Sequence, residues 1–207
     1  MSLPLDEIFS YMLKERWRQE PYSYLNPWGD QNMIAGNGTI GLEIVSDLPD
    51  VDTVYVPVGG GGLASGVGSA LKALRPSVRV VGLQPEGGPA LRASFEAGGP
   101  VWTEIGPTIC EGVPVPLIVD QMYPLLRQVI DDVTLVSEEE VEMSIRLLAL
   151  RNRLVVEGAG AVSVAAALAT PAKDRGETVC ILSGGSIGAD RLAAILSGTD
   201  PNVAGAV

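Results

Sequence analysis

The run Gly59-Gly60-Gly61-Gly62 follows an apolar stretch, Thr53-Val54-Tyr55-Val56-Pro57-Val58, and precedes a helical pattern that begins at Leu63. Glycines there strip the side chains from a strand-to-helix turn. Backbone N–H groups can then converge on an anion at the positive end of the helix. That chemistry suits a phosphate-bearing ligand; a tight structural turn is the competing reading. The run is not a P-loop, since no Lys-Ser/Thr pair follows it. It also lacks the GxGxxG layout with an acidic residue at the next strand's end, where Gln84 stands instead.

Ser183 closes another apolar stretch and precedes two glycines, Gly184 and Gly185. Its hydroxyl can donate to or accept from a ring nitrogen without forcing a charge on it, or it can cap the following turn. Glu157 follows the strand-like run Leu154-Val155-Val156 and opens a helix of very small residues from Gly158 to Ala169. It is either a functional carboxylate or a helix-start carboxylate, because burial without a partner would be costly. Asn37 and Thr39 read as helix caps. Cys110 lacks the basic partner a nucleophilic thiol needs, since the chain contains no histidine. Its lysines are Lys14, Lys72 and Lys173, and each sits in a charged or polar setting that reads as solvated surface. No pair of Asp and Glu residues has the spacing of an acid–base couple or a metal cage.

These groups need a scaffold to position them. Short apolar strands are predicted at 53–58, 78–83, 133–136 and 178–182, each separated from the next by a helical pattern. That order implies an open, predominantly parallel twisted sheet with helices on both faces, an α/β fold. Helices are predicted over 5–19, from Asn37 or Thr39 onward, and over 63–74, 89–97, 121–130 and 188–196. Ser137-Glu138-Glu139-Glu140 carries a capping-box signature at a further helix start, and Val141, Ile145 and Leu148 mark that helix's buried side. The irregular stretch 98–119 is long enough to wrap a surface or line a site. In an open parallel sheet, ligands bind at the carboxyl ends of the strands, so the glycine run and the Ser183 turn are expected to converge.

Composition narrows the partners. A net charge of −11 argues against nucleic acid, which needs a basic stripe. A small anion remains compatible, because a local nest of N–H groups outweighs a distant acidic surface. No apolar run reaches membrane-spanning length, and no signal-peptide pattern begins the chain. Cys110 and Cys180 lack CxxC spacing, so a reducing, cytoplasmic setting is expected.

Taken together, IAGNGTIGLEI at 34–44, PVGGGGLASG at 57–66, VVGLQPEG at 80–87, TICEG at 108–112, VVEGAGAVSVAA at 155–166 and ILSGGSIG at 181–188 form an ordered set. Their order and spacing resemble the fold-type II pyridoxal-phosphate enzymes, a family that includes threonine dehydratase, serine dehydratase, serine racemase and cysteine synthase. The resemblance is strongest to the threonine dehydratases and covers nearly the whole chain. It implies that Gly59, Gly60, Gly61 and Gly62, with the adjoining Leu63, hold the phosphate of pyridoxal 5'-phosphate. It further implies that Ser183 bonds the pyridine nitrogen, and it places Glu157 where the family keeps a carboxylate near the cofactor.

The resemblance also implies that residues 1–207 are the C-terminal part of the cofactor-binding large domain. The Schiff-base lysine segment and the small substrate domain have no counterpart here, so the chain alone is expected to lack a catalytic lysine. Where some relatives place acidic metal ligands, this sequence has Gln84 and Ala90, so no metal is expected. The implied reaction is ammonia release from L-threonine or L-serine in a complete enzyme. A serine racemase or cysteine synthase relative, or a non-catalytic binding protein built on the same fold, are the alternatives. A homo-oligomer, or association with the lysine-bearing portion, is expected.

Overall fold

The computed structural model describes residues 5–198. The first helix, α1 (Leu5–Leu13), is shorter than expected. Glu15 enters the left-handed region at φ 51°, and a 3-10 turn at Arg16–Gln19 follows in place of a continued helix. Helix α2 runs Gln31–Asp47 and therefore begins well before Asn37 or Thr39. Its cap is Asp30, whose Oδ1 accepts the N–H groups of Asn32 at 2.8 Å and Met33 at 3.2 Å. Asn37 and Thr39 lie inside the helix, where the Thr39 hydroxyl donates to the Gly36 carbonyl at 2.8 Å.

From there the chain alternates. Strand β1 (Thr53–Pro57) leads to helix α3 (Gly62–Leu74), then β2 (Arg79–Pro85) and α4 (Ala90–Ala97). After an irregular segment come α5 (Tyr123–Val129), β3 (Asp132–Val136) and α6 (Glu138–Leu147), the last extended by a π-helical turn at Leu148–Asn152. Helix α7 (Gly158–Ala169), the single turn α8 (Ala172–Arg175), β4 (Thr178–Cys180) and α9 (Ala189–Ser197) complete the order. The turn at α8 falls in a stretch that reads from sequence as a polar connection. Leu154-Val155-Val156 is not a strand; Leu154 and Val155 are exposed, and Val156 is buried in the core beside α7.

The strands form one sheet in the order β3-β2-β1-β4, with every pairing parallel, as the strand–helix alternation predicts. Val54 sits opposite Val80 on one side and Val179 on the other. Side chains alternate between two cores, the period-2 consequence of the pleat. Val54, Val56 and Val80 pack with Ile44, Val67, Leu71 and Leu126 of α2, α3 and α5. Tyr55, Val81 and Leu83 pack with Val141, Ile145, Val162 and Ala166 of α6 and α7. Burial of such aliphatic side chains contributes about 1.5–3 kcal/mol each, so a central strand with two covered faces anchors the fold.

Two further local signals are realised. Ser137 and Glu140 form the capping box of α6, with the Glu140 N–H on the Ser137 hydroxyl at 3.2 Å and the Ser137 N–H on the Glu140 carboxylate at 2.9 Å. The glycines of α2, which weaken it as an isolated helix, serve its crossing with α3. A Cβ on Gly41 would lie 2.8 Å from the Ala70 Cβ and 2.9 Å from the Val67 carbonyl oxygen.

Candidate functional site

The glycine run leaves the carboxyl end of β1 and becomes the start of α3. The first intrahelical bond joins the Ser65 N–H to the Gly61 carbonyl at 2.8 Å. The amides before Ser65 are therefore the orphan donors of a 13-residue helix, at its positive end. Gly61 has φ 99°, which only glycine adopts without strain. The side-chain positions of this run are already taken by protein. A Cβ on Gly59 would lie 2.8 Å from the Val113 carbonyl oxygen, and one on Gly60 would lie 2.6 Å from the Trp28 ring. One on Gly62 would lie 2.5 Å from the Pro27 carbonyl oxygen. The structural-turn reading and the anion reading of the glycines thus coexist in one geometry.

Gly59, Gly60, Gly61, Gly62 and Leu63 line a cavity of about 350 Å³ together with Ser183 and Glu157. Every residue singled out as a site candidate therefore reaches one cleft. Its volume falls within the range of about 300–1,000 Å³ typical of small-molecule sites.

The Ser183 side of the cleft is set by α7. Ser163 donates its hydroxyl to the Ile181 carbonyl at 2.8 Å, and a Cβ on Gly160 would lie 2.6 Å from the Gly184 carbonyl oxygen. Small residues thus let the helix press on the Ser183–Ser186 turn. Glu157 occupies the N-cap position of α7 but makes no cap bond with its own helix. Its carboxylate instead accepts the Ser186 N–H at 2.8 Å, and its own N–H donates to the Gly184 carbonyl at 3.1 Å.

Sequence reasoning missed two contributors to the cleft. Trp28 and Pro27 come from the aromatic turn before α2, fixed where the Asn26 side-chain oxygen accepts the N–H groups of Trp28 and Gly29 at 3.1 and 3.0 Å. Trp28 stacks on the buried ring of Phe9 with centroids 5.8 Å apart, so α1 backs this wall. Gly112, Val113 and Val115 come from the irregular segment after α4, which does line the site as its length suggests. That segment is pinned by Ile109, whose N–H donates to the Glu138 carboxylate at 2.7 Å. The only sequence signal for the Trp28 turn was its density of aromatic and turn-forming residues.

Other reactive groups lie elsewhere. Gln84 is fully buried; its amide donates to the Val58 carbonyl at 3.1 Å and its oxygen accepts the Leu91 and Arg92 N–H groups. It ties the end of β1 to the start of α4. Among the described residues no group of three or more His, Cys, Asp or Glu side chains could hold a metal ion. Burial pushes the Cys110 thiol up to about 12 and the Cys180 thiol to about 11, so neither is a ready nucleophile. Lys72 is half-buried rather than solvated; its ammonium donates to the Val78 carbonyl at 2.8 Å and to Asp131 at 2.6 Å. Lys14 and Lys173 are exposed, and none of the three lines the cleft. A second cavity of about 530 Å³ shares Gly112, Glu157 and Ala159 with the first and adds Glu111 and Arg191. No helix among the described residues is long and apolar enough to cross a membrane.

Orphan amides at one end of a cleft and a hydroxyl at its other wall fit a phosphorylated aromatic heterocycle. Comparison with known proteins agrees. The family model for pyridoxal-phosphate dependent enzymes matches residues 5–184. An L-threonine ammonia-lyase of Geobacter sulfurreducens is 41% identical over 165 residues, which is 79% of this chain and 41% of the relative. The catabolic L-threonine dehydratase TdcB of Escherichia coli K12 is 41% identical over 180 residues, 86% of this chain and 55% of the relative. The chain thus spans about half the length of the curated relatives it matches.

Among solved structures, a threonine deaminase from T.th. superposes with a TM-score of 0.78 at 34% identity, covering 85% of this chain and 65% of that one. Maize serine racemase gives 0.80 at 30% identity, covering 91% and 60%. With the cleft at the sheet's carboxyl edge and the family match across most of its length, the chain belongs to the pyridoxal-phosphate dependent enzymes.

Proposed function

We propose that this chain forms the cofactor-holding part of an ammonia-lyase that converts L-threonine, or L-serine, to the 2-oxo acid and ammonia. The observation that carries the reading is the shared cleft of Gly59–Gly62 and Ser183. The amides of the glycine turn and the start of α3 would hold the phosphate. Leu63 would lie beside it, and the Ser183 hydroxyl would meet the ring nitrogen without charging it. Bound there, pyridoxal phosphate supplies a sink for the electron pair released when the substrate's α-proton leaves. Trp28, Pro27 and Val113 wall the same cleft.

The same proposal assigns residues 1–207 to the C-terminal part of the large domain. The amine that links the cofactor and the groups that grip the substrate carboxylate then come from polypeptide outside these residues. That polypeptide, or a further copy of the chain, is the expected partner. Free thiols at Cys110 and Cys180 accord with a cytoplasmic setting. The ammonia-lyase reading is preferred to a racemase because the curated relatives at 41% identity carry ammonia-lyase or dehydratase names. The maize structure supports the racemase alternative.

The test has two arms. Equilibrium dialysis of the 207-residue chain against pyridoxal phosphate should show reversible binding, lost when excess inorganic phosphate competes. With cofactor and L-threonine, 2-oxobutanoate should stay at background for the chain alone and rise once the lysine-bearing portion is supplied. Robust turnover by the chain alone, abolished by replacing Lys14, Lys72 or Lys173, would overturn the proposal.

A further inference from the structure

We infer that Glu157 is a positioning residue that holds the Ser183 hydroxyl on its target by clamping the Ser183–Ser186 turn, with Gly184 the residue that makes room for the clamp. The inference rests on the cofactor reading for its target and on geometry alone for the clamp. Glu157 grips the turn twice, through its own N–H on the Gly184 carbonyl at 3.1 Å and through its carboxylate on the Ser186 N–H at 2.8 Å. A Cβ on Gly184 would lie 2.5 Å from Glu157 Oε1, so the carboxylate occupies the space a side chain there would need.

Leu182 and Ile187 anchor the turn's flanks in the second core, and most residues between them are open. Residues Ser183, Gly185 and Ser186 are exposed, and β4 ends at Cys180, so the ladder stops before the serine. The last sheet bond on this path is the Ile181 N–H on the Tyr55 carbonyl at 3.2 Å. A glycine pair beyond that point leaves the backbone free to swing unless something holds it. A charge-assisted bond from a carboxylate seated at the rigid start of α7 supplies the hold, and is about twice as strong as a neutral one. Gly160 and Ser163 hold the turn's other flank against the same helix. The clamp therefore acts on the ring nitrogen through Ser183.

The clamp is tested with Glu157→Ala and Glu157→Gln in the full chain. In the cofactor-free protein, hydrogen exchange at the Ser186 amide should quicken about tenfold in Glu157→Ala, the loss expected for one charge-assisted bond. It should quicken by only about threefold in Glu157→Gln, whose side-chain carbonyl accepts the same N–H in a neutral bond of about half the strength. With pyridoxal phosphate labelled with nitrogen-15 in the ring, the ring-nitrogen chemical shift should move toward the free-cofactor value in Glu157→Ala and in Ser183→Ala. It should move less in Glu157→Gln, whose neutral bond keeps part of the hold. Unchanged Ser186 exchange in folded Glu157→Ala, or an unchanged ring-nitrogen shift with cofactor bound, overturns the inference. Failure of the parent chain to bind pyridoxal phosphate overturns the cofactor reading instead, and Ser186 exchange then decides the clamp by itself.

Discussion

Two glycines with opposite surroundings separate backbone necessity from packing slack. Gly61 has φ 99°, and a Cβ there would lie 2.7 Å from Leu126 Cδ1. Gly61→Ala should cost about 1–2 kcal/mol for the left-handed backbone and about 1–3 kcal/mol for overpacking, read as a lower midpoint in urea. Gly36 lies inside α2 with nothing within 4 Å of its missing Cβ. Gly36→Ala should therefore stabilise by about 0.5–1 kcal/mol, through helix propensity and a less flexible unfolded chain. Equal midpoints for the two variants would contradict the geometry. The cysteines give a second test at this scale. Burial raises both thiols from a usual value near 9, to about 12 for Cys110 and about 11 for Cys180. The folded state then retains protons that the unfolded chain releases, so stability is full below about pH 9 and declines as pH climbs toward the folded values. Replacing both cysteines with alanine should flatten that alkaline decline in urea midpoints measured at pH 8 and pH 10.

Helix α6 shows an element whose start is written in its own sequence. Ser137→Ala removes one half of the capping box and should cost about 1 kcal/mol, seen as a lower thermal midpoint, while Ser137→Asp should recover most of it. Local signals of this kind made the capping box, the strands and the helix after the glycine run legible from residues alone. Helix α2 was misread because Gly36, Gly38 and Gly41 dilute its helical pattern. Two of them are there for α3: beyond the Gly41 contact, a Cβ on Gly38 would lie 3.4 Å from the Gly66 carbonyl oxygen, and one on Gly66 would collide with the Ile34 carbonyl oxygen. That reason sits on another helix and cannot be seen in the α2 segment. The Leu154-Val155-Val156 run misled in the other direction, since its β-branched residues signal a strand where no partner strand lies beside it. In the cleft, the glycine run and Glu157 were legible because each sits at a strand or helix end, and Ser183 because it follows β4 closely and precedes two glycines. Trp28 and Val113 were not, because loops bring them in and loop paths follow from long-range bonds such as Ile109 to Glu138.

At the scale of the whole molecule, the sheet is buried unevenly. All five residues of β1 are buried and pair with β2, and Thr53, Val54 and Tyr55 pair with β4 as well, whereas the residues of β4 are half-buried and pair only with β1. Parallel sheets gain their stability from covered faces and shared ladders, so a three-residue edge strand with one neighbour is the weakest part of this one. Exposed Val155 and Leu154 lie near the same end: the Val155 carbonyl oxygen would sit 2.9 Å from a Cβ on Gly185. Native-state hydrogen exchange should reflect this order. Amides of Val54 and Val56 should exchange only through global unfolding, with the denaturant dependence of the whole chain. Those of Val179 and Ile181 should exchange through a local opening that denaturant barely alters. Because β4 delivers Ser183, such an opening also loosens the cofactor cleft, and bound pyridoxal phosphate should slow exchange in β4 more than in β1. Exchange in β4 as slow as in β1, with the same denaturant dependence, would mean that the sheet opens as one unit and that its edge is held by contacts stronger than a single parallel ladder provides.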